Sequence, residues 1–334
     1  MRSGDIAQGE AAAIARMGAA LFGIVGTCEF VSKGVNETFR FESSGRSYSL
    51  RVHNPAYHNI DAIRSERTWL NALADEADVI VPTPHRTRDG DWVATVESPT
   101  SGEARHCTLS DWVEGIQRRA NPEPAHFRAL GETMARLHEH ASVWSPPADF
   151  NRPVWDVGGV YWERTQGGGA LERALDAMSR SQAEMVLRAK GKAEQVFQEL
   201  RDIKDAWGLI HADLHLGNIL FQSAKACPID FDDCGFGSHI YDAAVAVHFH
   251  SASPQFRGFL FAMIEGYQRI RRFPEEGLSL LKAAIGIRSA SVAIWIASQA
   301  EFNERFRENL DEYLATQLAF VQLFVESSSI YEDL

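Results

Sequence analysis

The segment Leu209-Ile210-His211-Ala212-Asp213-Leu214-His215-Leu216-Gly217-Asn218-Ile219-Leu220-Phe221, followed by Pro228-Ile229-Asp230-Phe231-Asp232-Asp233, constrains the fold more than any other part of the chain. Two short apolar runs, Asn218 to Phe221 and Pro228 to Asp230, flank a turn around Ser223 to Lys225, and each carries a polar group at one end. Folded as a hairpin, they bring Asp213, Asn218 and Asp230 together. Two carboxylates and an amide oxygen are hard donors of the kind a Mg²⁺–nucleotide site uses, with one carboxylate left over as a base.

His211-x-Asp213-x4-Asn218 followed by Ile229-Asp230-Phe231 resembles the catalytic and metal-binding loops of the aminoglycoside/choline kinase-like phosphotransferases. Within that family the chain looks closest to the branch holding a bacterial stress-response Ser/Thr kinase and homoserine kinase type II-like enzymes. The resemblance runs from Thr27 to about Tyr267. It implies an α+β, two-lobed protein-kinase-like fold, with a small antiparallel-sheet lobe for the nucleotide over residues 1–107 and a larger, mainly helical catalytic and substrate-binding lobe over 108–334.

Residue by residue, the resemblance makes Asp213 the group that orients the acceptor hydroxyl and takes its proton, and Asn218 and Asp230 the ligands of Mg²⁺ against the phosphates of ATP. His211 braces the loop. His215 and Asp232 lie within reach of phosphate or a second metal, and Asp242, near the start of a helix, braces the catalytic loop. In the first lobe the turn Ser32-Lys33-Gly34-Val35-Asn36-Glu37 falls where the phosphate-covering loop belongs. It departs from G-x-G-x-x-G and is an ordinary hairpin on its own residues; the family implies a shortened loop with a polar Asn, so Ser32, Gly34 and Asn36 become nucleotide contacts. Arg51 stands where a protein kinase has Lys, giving phosphates a planar fork instead of a point charge. Glu66, in the following helix, becomes its partner by the same resemblance; on burial statistics alone a helical Glu faces water.

Elsewhere periodicity carries the reading. A helix is expected from Asp5 as N-cap through Leu21, then β-like runs over Thr27–Ser32, Val35–Glu42 and Ser47–His53. Asp89-Gly90 predicts a hairpin between His85–Arg88 and Trp92–Val96. Beyond the Ser110–Gly115 hinge, helices are expected over Pro124–His140, Ser181–Ile203, Phe256–Ile270, Glu275–Ile287, Ser289–Phe302 and Glu304–Phe324, with Gly167-Gly168-Gly169 as a break. Gly235 and Gly237 are read as backbone freedom beside the metal site, and His138 as a core or capping histidine.

The totals exclude some classes. A net charge of −12 argues against a nucleic-acid partner, since phosphate contacts need clustered Lys and Arg, and it is compatible with a cationic acceptor. Cys28, Cys107, Cys227 and Cys234 form no C-x-x-C pair, so neither a disulfide framework nor a zinc site is indicated. No signal-like start and no uninterrupted apolar span of about 18 residues is present, which predicts a cytoplasmic protein without a membrane partner, monomeric or homodimeric. The expected activity is phosphoryl transfer to a small-molecule hydroxyl, aminoglycoside-, amino alcohol- or homoserine-like. The alternatives are a Ser/Thr protein kinase, which the lack of an A-P-E segment disfavours, and a nucleotide-binding module without catalysis. His211-x-Asp213-x-His215 also admits a zinc or di-metal hydrolase, which would leave Asn218 and Ile-Asp-Phe unexplained.

Overall fold

The computed structural model describes residues 3–164 and 169–327, with side chains from residue 9 onward. By its internal contacts the chain divides into two compact units, residues 1–114 with 146–151, and residues 115–145 with 152–334.

The first unit is built on an antiparallel sheet. Helix α1 (Ser3–Leu21) precedes β1 (Thr27–Lys33), β2 (Glu37–Ser43) and β3 (Arg46–Val52); α2 (Ile60–Glu76), β4 (Pro84–His85), β5 (Ala94–Glu97) and β6 (Ala104–Asp111) follow. The strand order is β1-β2-β3-β6-β4, with β5 also pairing β6. Alternation decides the faces: Phe39 and Phe41 in β2, and Tyr48, Leu50 and Val52 in β3, turn inward onto Ile14, Ala15 and Ala19 of α1. Gly18 lets that helix approach closely, since a Cβ there would sit 2.7 Å from Cys107 Sγ. Asp5 falls inside α1, so it is not the N-cap, and its side chain lies outside the described set. The boundary expected at 107/108 falls within β6, whose residues through Asp111 pair with β3.

One sequence expectation fails here. Asp89-Gly90 does form a turn, with Gly90 at φ 87° and Thr87 N–H donating to Asp91 O, but its flanks do not pair with each other. Both β4 and β5 pair with β6 instead. Asp91 takes Arg64 of α2 (2.7 Å) and the N–H of Val93, and this steers Trp92 and Val93 onto Ile63 rather than back along the hairpin.

The second unit is mainly helical. It holds α3 (Pro124–Val143), β7 (Val154–Trp155), α4 (Val157–Val160), α5 (Ala170–Ala177), α6 (Arg180–Asp202), β8 (Trp207–Ile210), β9 (Ile219–Gln222), β10 (Lys225–Pro228) and β11 (Gly235–Ser238). Four further helices complete it: α7 (His239–His248), α8 (Phe256–Gln268), α9 (Glu275–Gln299) and, after the short α10 (Glu304–Glu308), α11 (Leu310–Glu326). Gly167 and Gly168 lie outside the described residues. The two helices expected on either side of Arg288 are one continuous helix, α9. By length and composition α9 could cross a membrane, but 83% of its apolar window is buried within the protein. Gly235 and Gly237 serve close packing, not freedom: a Cβ at Gly235 would meet Pro153 O at 2.4 Å, and one at Gly237 would meet Ile210 Cδ1 at 2.5 Å. That closeness lets β11 lie between β8 and β7.

Candidate active site

The hairpin expected around Ser223 is present. Strands β9 and β10 pair from Gln222↔Lys225 to Ile219↔Pro228, and Ser223 turns the chain at φ 55°. The Ile229 N–H donates to Asn218 O (2.9 Å), so the backbones leading to Asn218 and Asp230 are tied side by side. Asn218 Nδ2 donates to Asp213 O (3.0 Å) and to Asp213 Oδ2 (2.8 Å). With its amide nitrogen thus used, its oxygen is the atom left for a cation. Asp230 sits at φ 64°, a left-handed conformation that Asp adopts more readily than most residues and that ends the strand abruptly.

Asp213 is gripped from both sides. Its Oδ2 faces Asn218 and, at 3.4 Å, His215 Nε2; its Oδ1 accepts from Arg288 Nη2 of α9. Burial works against its ionisation, but the neighbouring His215 and the Arg288 guanidinium outweigh that and hold the carboxyl well below the usual range. Arg288 was not singled out by the sequence reading; its only signal was a lone charge inside an apolar run. His215 Nδ1 accepts from the Gly217 N–H (2.9 Å), which leaves its Nε2–H aimed at Asp213.

Behind the loop, Asp242 accepts the N–H groups of His211 (3.3 Å) and Ala212 (2.9 Å). Ala212 has φ 65°, a strained value for a residue with a Cβ, and Asp242 is what holds it. The buried His138 of α3 reaches Asp242 with Nε2 (3.1 Å) and Tyr267 Oη with Nδ1 (3.0 Å), so the expected core histidine anchors the brace. Burial pushes the Asp242 carboxyl up to about 6 and His138 down to about 3. A neutral His138 donating from Nε2 and accepting the Tyr267 hydroxyl satisfies every member. His211 uses Nε2 on Ile229 O (3.1 Å) and Nδ1 on the Asp213 N–H (3.3 Å), so neither nitrogen is free for the zinc site that His-x-Asp-x-His admits. Asp232 is buried within the short 3₁₀ turn Phe231–Asp233, whose end is clamped by Arg152 Nε on Cys234 O (2.6 Å) and Trp155 Nε1 on Asp233 O (2.7 Å).

The first unit brings together the other expected pair. Arg51 Nη1 lies 3.9 Å from Glu66 Oε1, and the Glu66 side chain is 1% exposed. A second cation, missed in the sequence, shares that oxygen: Arg67 bonds Glu66 Oε1 through Nη2 and Ser110 Oγ through Nη1 (2.9 Å). At the β1–β2 turn, Gly34 N–H donates to Asn36 O (3.0 Å) and Asn36 Oδ1 accepts the Asn54 N–H (2.9 Å). Asn36 therefore fixes the loop's shape. Ser32 is exposed, and the space beside Gly34 is open, with nothing within 4 Å of a Cβ placed there.

Among the described residues, no three His, Cys, Asp or Glu side chains gather as a metal cage. Asn218 and Asp230 instead fit a hard cation that takes only one or two protein oxygens and fills its other positions with phosphate and water, as Mg²⁺ does.

A small sheet unit, a helical unit, and a braced Asp–Asn loop beside an Ile-Asp-Phe strand end define a kinase-like phosphotransferase fold. Residues 27–275 match the phosphotransferase enzyme (APH) family, and the chain belongs to that family. A solved microcompartment-associated aminopropanol kinase is 29% identical, with a TM-score of 0.79 over 94% of this chain and 97% of that one. A solved amicoumacin kinase in complex with AMP-PNP, Ca²⁺ and its antibiotic is 20% identical, with a TM-score of 0.73 over 92% and 90%. The homoserine kinase of Granulibacter bethesdensis is 24% identical over 281 residues, 80% of this chain and 78% of that protein. The chain spans 65% and 62% of the length of two further curated relatives.

Proposed function

We propose that the protein transfers the γ-phosphoryl group of ATP, taken as its Mg²⁺ complex, to a hydroxyl of a small amino alcohol-like molecule. The observation that carries this reading is the doubly held Asp213, whose carboxylate is fixed by Asn218 and Arg288 on a loop pinned by Asp242. Phosphoryl transfer asks for alignment and charge neutralisation more than for covalent chemistry. Bound Mg²⁺ would neutralise charge on the phosphates, with Asn218 and Asp230 as its protein ligands. Asp213 aims the acceptor hydroxyl and receives its proton as the new O–P bond forms and the bond to the departing ADP oxygen breaks. Because its carboxyl is held ionised, orientation is the larger part of its work. In the first unit, Arg51, set by Glu66, and the Ser32–Asn36 turn are the groups assigned to the nucleotide.

Related proteins named for aminopropanol, homoserine and amicoumacin support a small hydroxyl acceptor that also bears an amine. A protein substrate has less support: the interval from Asp230 to Asp242 is filled by the Phe231–Asp233 turn, β11 and the start of α7, with no long activation segment. The acidic side chains Glu301, Glu304, Glu308, Asp311 and Glu312 are solvent-exposed, as a solvated helix face would be, and do not argue for a cationic pocket.

The test is Mg²⁺- and ATP-dependent ADP release over a panel of amino alcohols, aminoglycosides, homoserine, sugars and a generic protein. Stimulation by one small-molecule class, lost about 10²–10⁴-fold in Asp213→Ala with MgATP affinity retained, is expected. Stimulation by the protein alone, or equal loss of affinity and turnover in the variant, would overturn the assignment.

A further inference from the structure

Arg288 is a charge in an unexpected place. From Ala283 to Gln299 it is the sole ionisable residue of α9, and it is 7% exposed. Stripping water from a guanidinium costs several kcal/mol, and replacing a whole buried ion pair by apolar side chains of similar volume is often neutral or stabilising. Nor is the group well satisfied as a structural ion pair, since its buried Nε has no hydrogen-bond partner. It hydrogen-bonds Asp213 Oδ1 through Nη2, and the Tyr241 hydroxyl also faces it.

What that contact does follows from the rest of the grip. A carboxylate turns easily about its Cβ–Cγ bond, where the torsional wells are broad. Asn218 and His215, both on the loop that carries Asp213, hold only Oδ2. Oδ1 is held from a different element, the long buried helix α9. Two anchors on one oxygen permit rotation; a third on the other oxygen stops it.

We infer that Arg288 is a positioning residue for the phosphoryl transfer, acting through Asp213 by fixing the plane of its carboxylate toward the acceptor hydroxyl. The inference rests on the reading of Asp213 as the group that orients the acceptor. Reaction geometry is steep in distance and angle, so a freed carboxylate loses rate while the acceptor still binds.

The full chain is assayed for ADP release with the acceptor that the wild type uses best, comparing Arg288→Met, Arg288→Lys, Asp213→Asn and the double variant Asp213→Asn with Arg288→Met. Arg288→Met should lower kcat about 10–100-fold with acceptor KM within about threefold, measured at a temperature where the variant is fully folded. Arg288→Lys should recover part of kcat. In the Asp213→Asn background, Arg288→Met should change kcat by less than about twofold, because the residue it acts through is already disabled.

Wild-type kcat in Arg288→Met, alongside an inactive Asp213→Ala, overturns this inference alone. Multiplying losses in the double variant, or a loss that only tracks lowered stability, also overturn it. A raised KM at intact kcat makes Arg288 an acceptor-binding group instead. Absence of turnover in the wild type with every acceptor overturns the phosphotransferase reading and this one with it.

Discussion

Asp242 gathers three contacts on one buried side chain. It takes two loop N–H groups, receives the buried His138, and holds Ala212 in a conformation its Cβ resists. Asp242→Ala leaves those two amides and the imidazole buried without an acceptor. Each buried donor left unsatisfied costs about 1–3 kcal/mol, so a fall of several kcal/mol in urea unfolding is expected, together with loss of turnover. A fall under about 1 kcal/mol would show that water replaces the carboxylate. At this scale the sequence was legible where chemistry is local. Asp213, Asn218 and Asp230 lie on one loop and one hairpin, so their grouping could be read from spacing, while the place of His211 came from the resemblance. Arg288 and Arg67 were not legible, because an arginine in a helix says nothing about which distant carboxylate it meets until the packing is known.

Helices α3 and α8 meet backbone to backbone. A Cβ at Gly131 would lie 1.9 Å from Met263 O, and one at Gly266 would lie 1.9 Å from Arg128 O. Alanine would raise helix propensity by about 1 kcal/mol at either position, but an overlap with backbone that deep forces the helices apart. Gly131→Ala should therefore lower stability by a net of about 1–3 kcal/mol, read as a shift in the chemical-denaturation midpoint at constant slope; an unchanged or raised midpoint would mean the helices slide at no cost. Some element boundaries were read closely from the period alone, as with α3, expected over Pro124–His140 and found over Pro124–Val143. Others were misread: Asp89-Gly90 suggests a hairpin by residue type, although turn residues say nothing of which strand a flank will choose, and the boundary expected between Ile287 and Ser289 has no counterpart in the continuous α9.

For the molecule as a whole, buried histidines set the response to acid. Burial, with the nearby Arg271 and Arg288 charges second, holds His138 and His248 at about 3, and burial likewise holds His53 and His239 well below the ordinary value. In the unfolded chain each binds a proton below about 6.5. Their contribution is thus fully present above that pH and is lost as pH falls from about 6.5 toward 3, at up to about 1.4 kcal/mol per pH unit for each. Asp242, raised to about 6, acts with the opposite sign between about 4 and 6, but it is one group against four. The melting temperature should drop steadily from pH 7 to pH 5. In His248→Gln, which can still pair with Ser289 and Gln317, the drop should be shallower; a flat profile in the native chain would contradict the burial argument. The two-lobed organisation came from the family resemblance of the loop motifs, which carried no signal for the return of residues 146–151 to the first unit. That segment attaches through Asn151 N–H on Ser65 Oγ (2.8 Å), a contact with no periodic signature.

The β9–β10 hairpin also says where such a chain can change length without losing its chemistry. The gap between Asn218 and Asp230 is set by strand pairing and closed by the Ile229–Asn218 bond, not by how many residues make the turn. Residues added between Gln222 and Lys225 lengthen only the tip. A single residue added between Ile219 and Gln222 shifts the register by one and turns every later side chain of that strand to the opposite face. Inserted peptides, tags or inherited length differences therefore have a tolerant point at Ser223 and an intolerant stretch directly beside it.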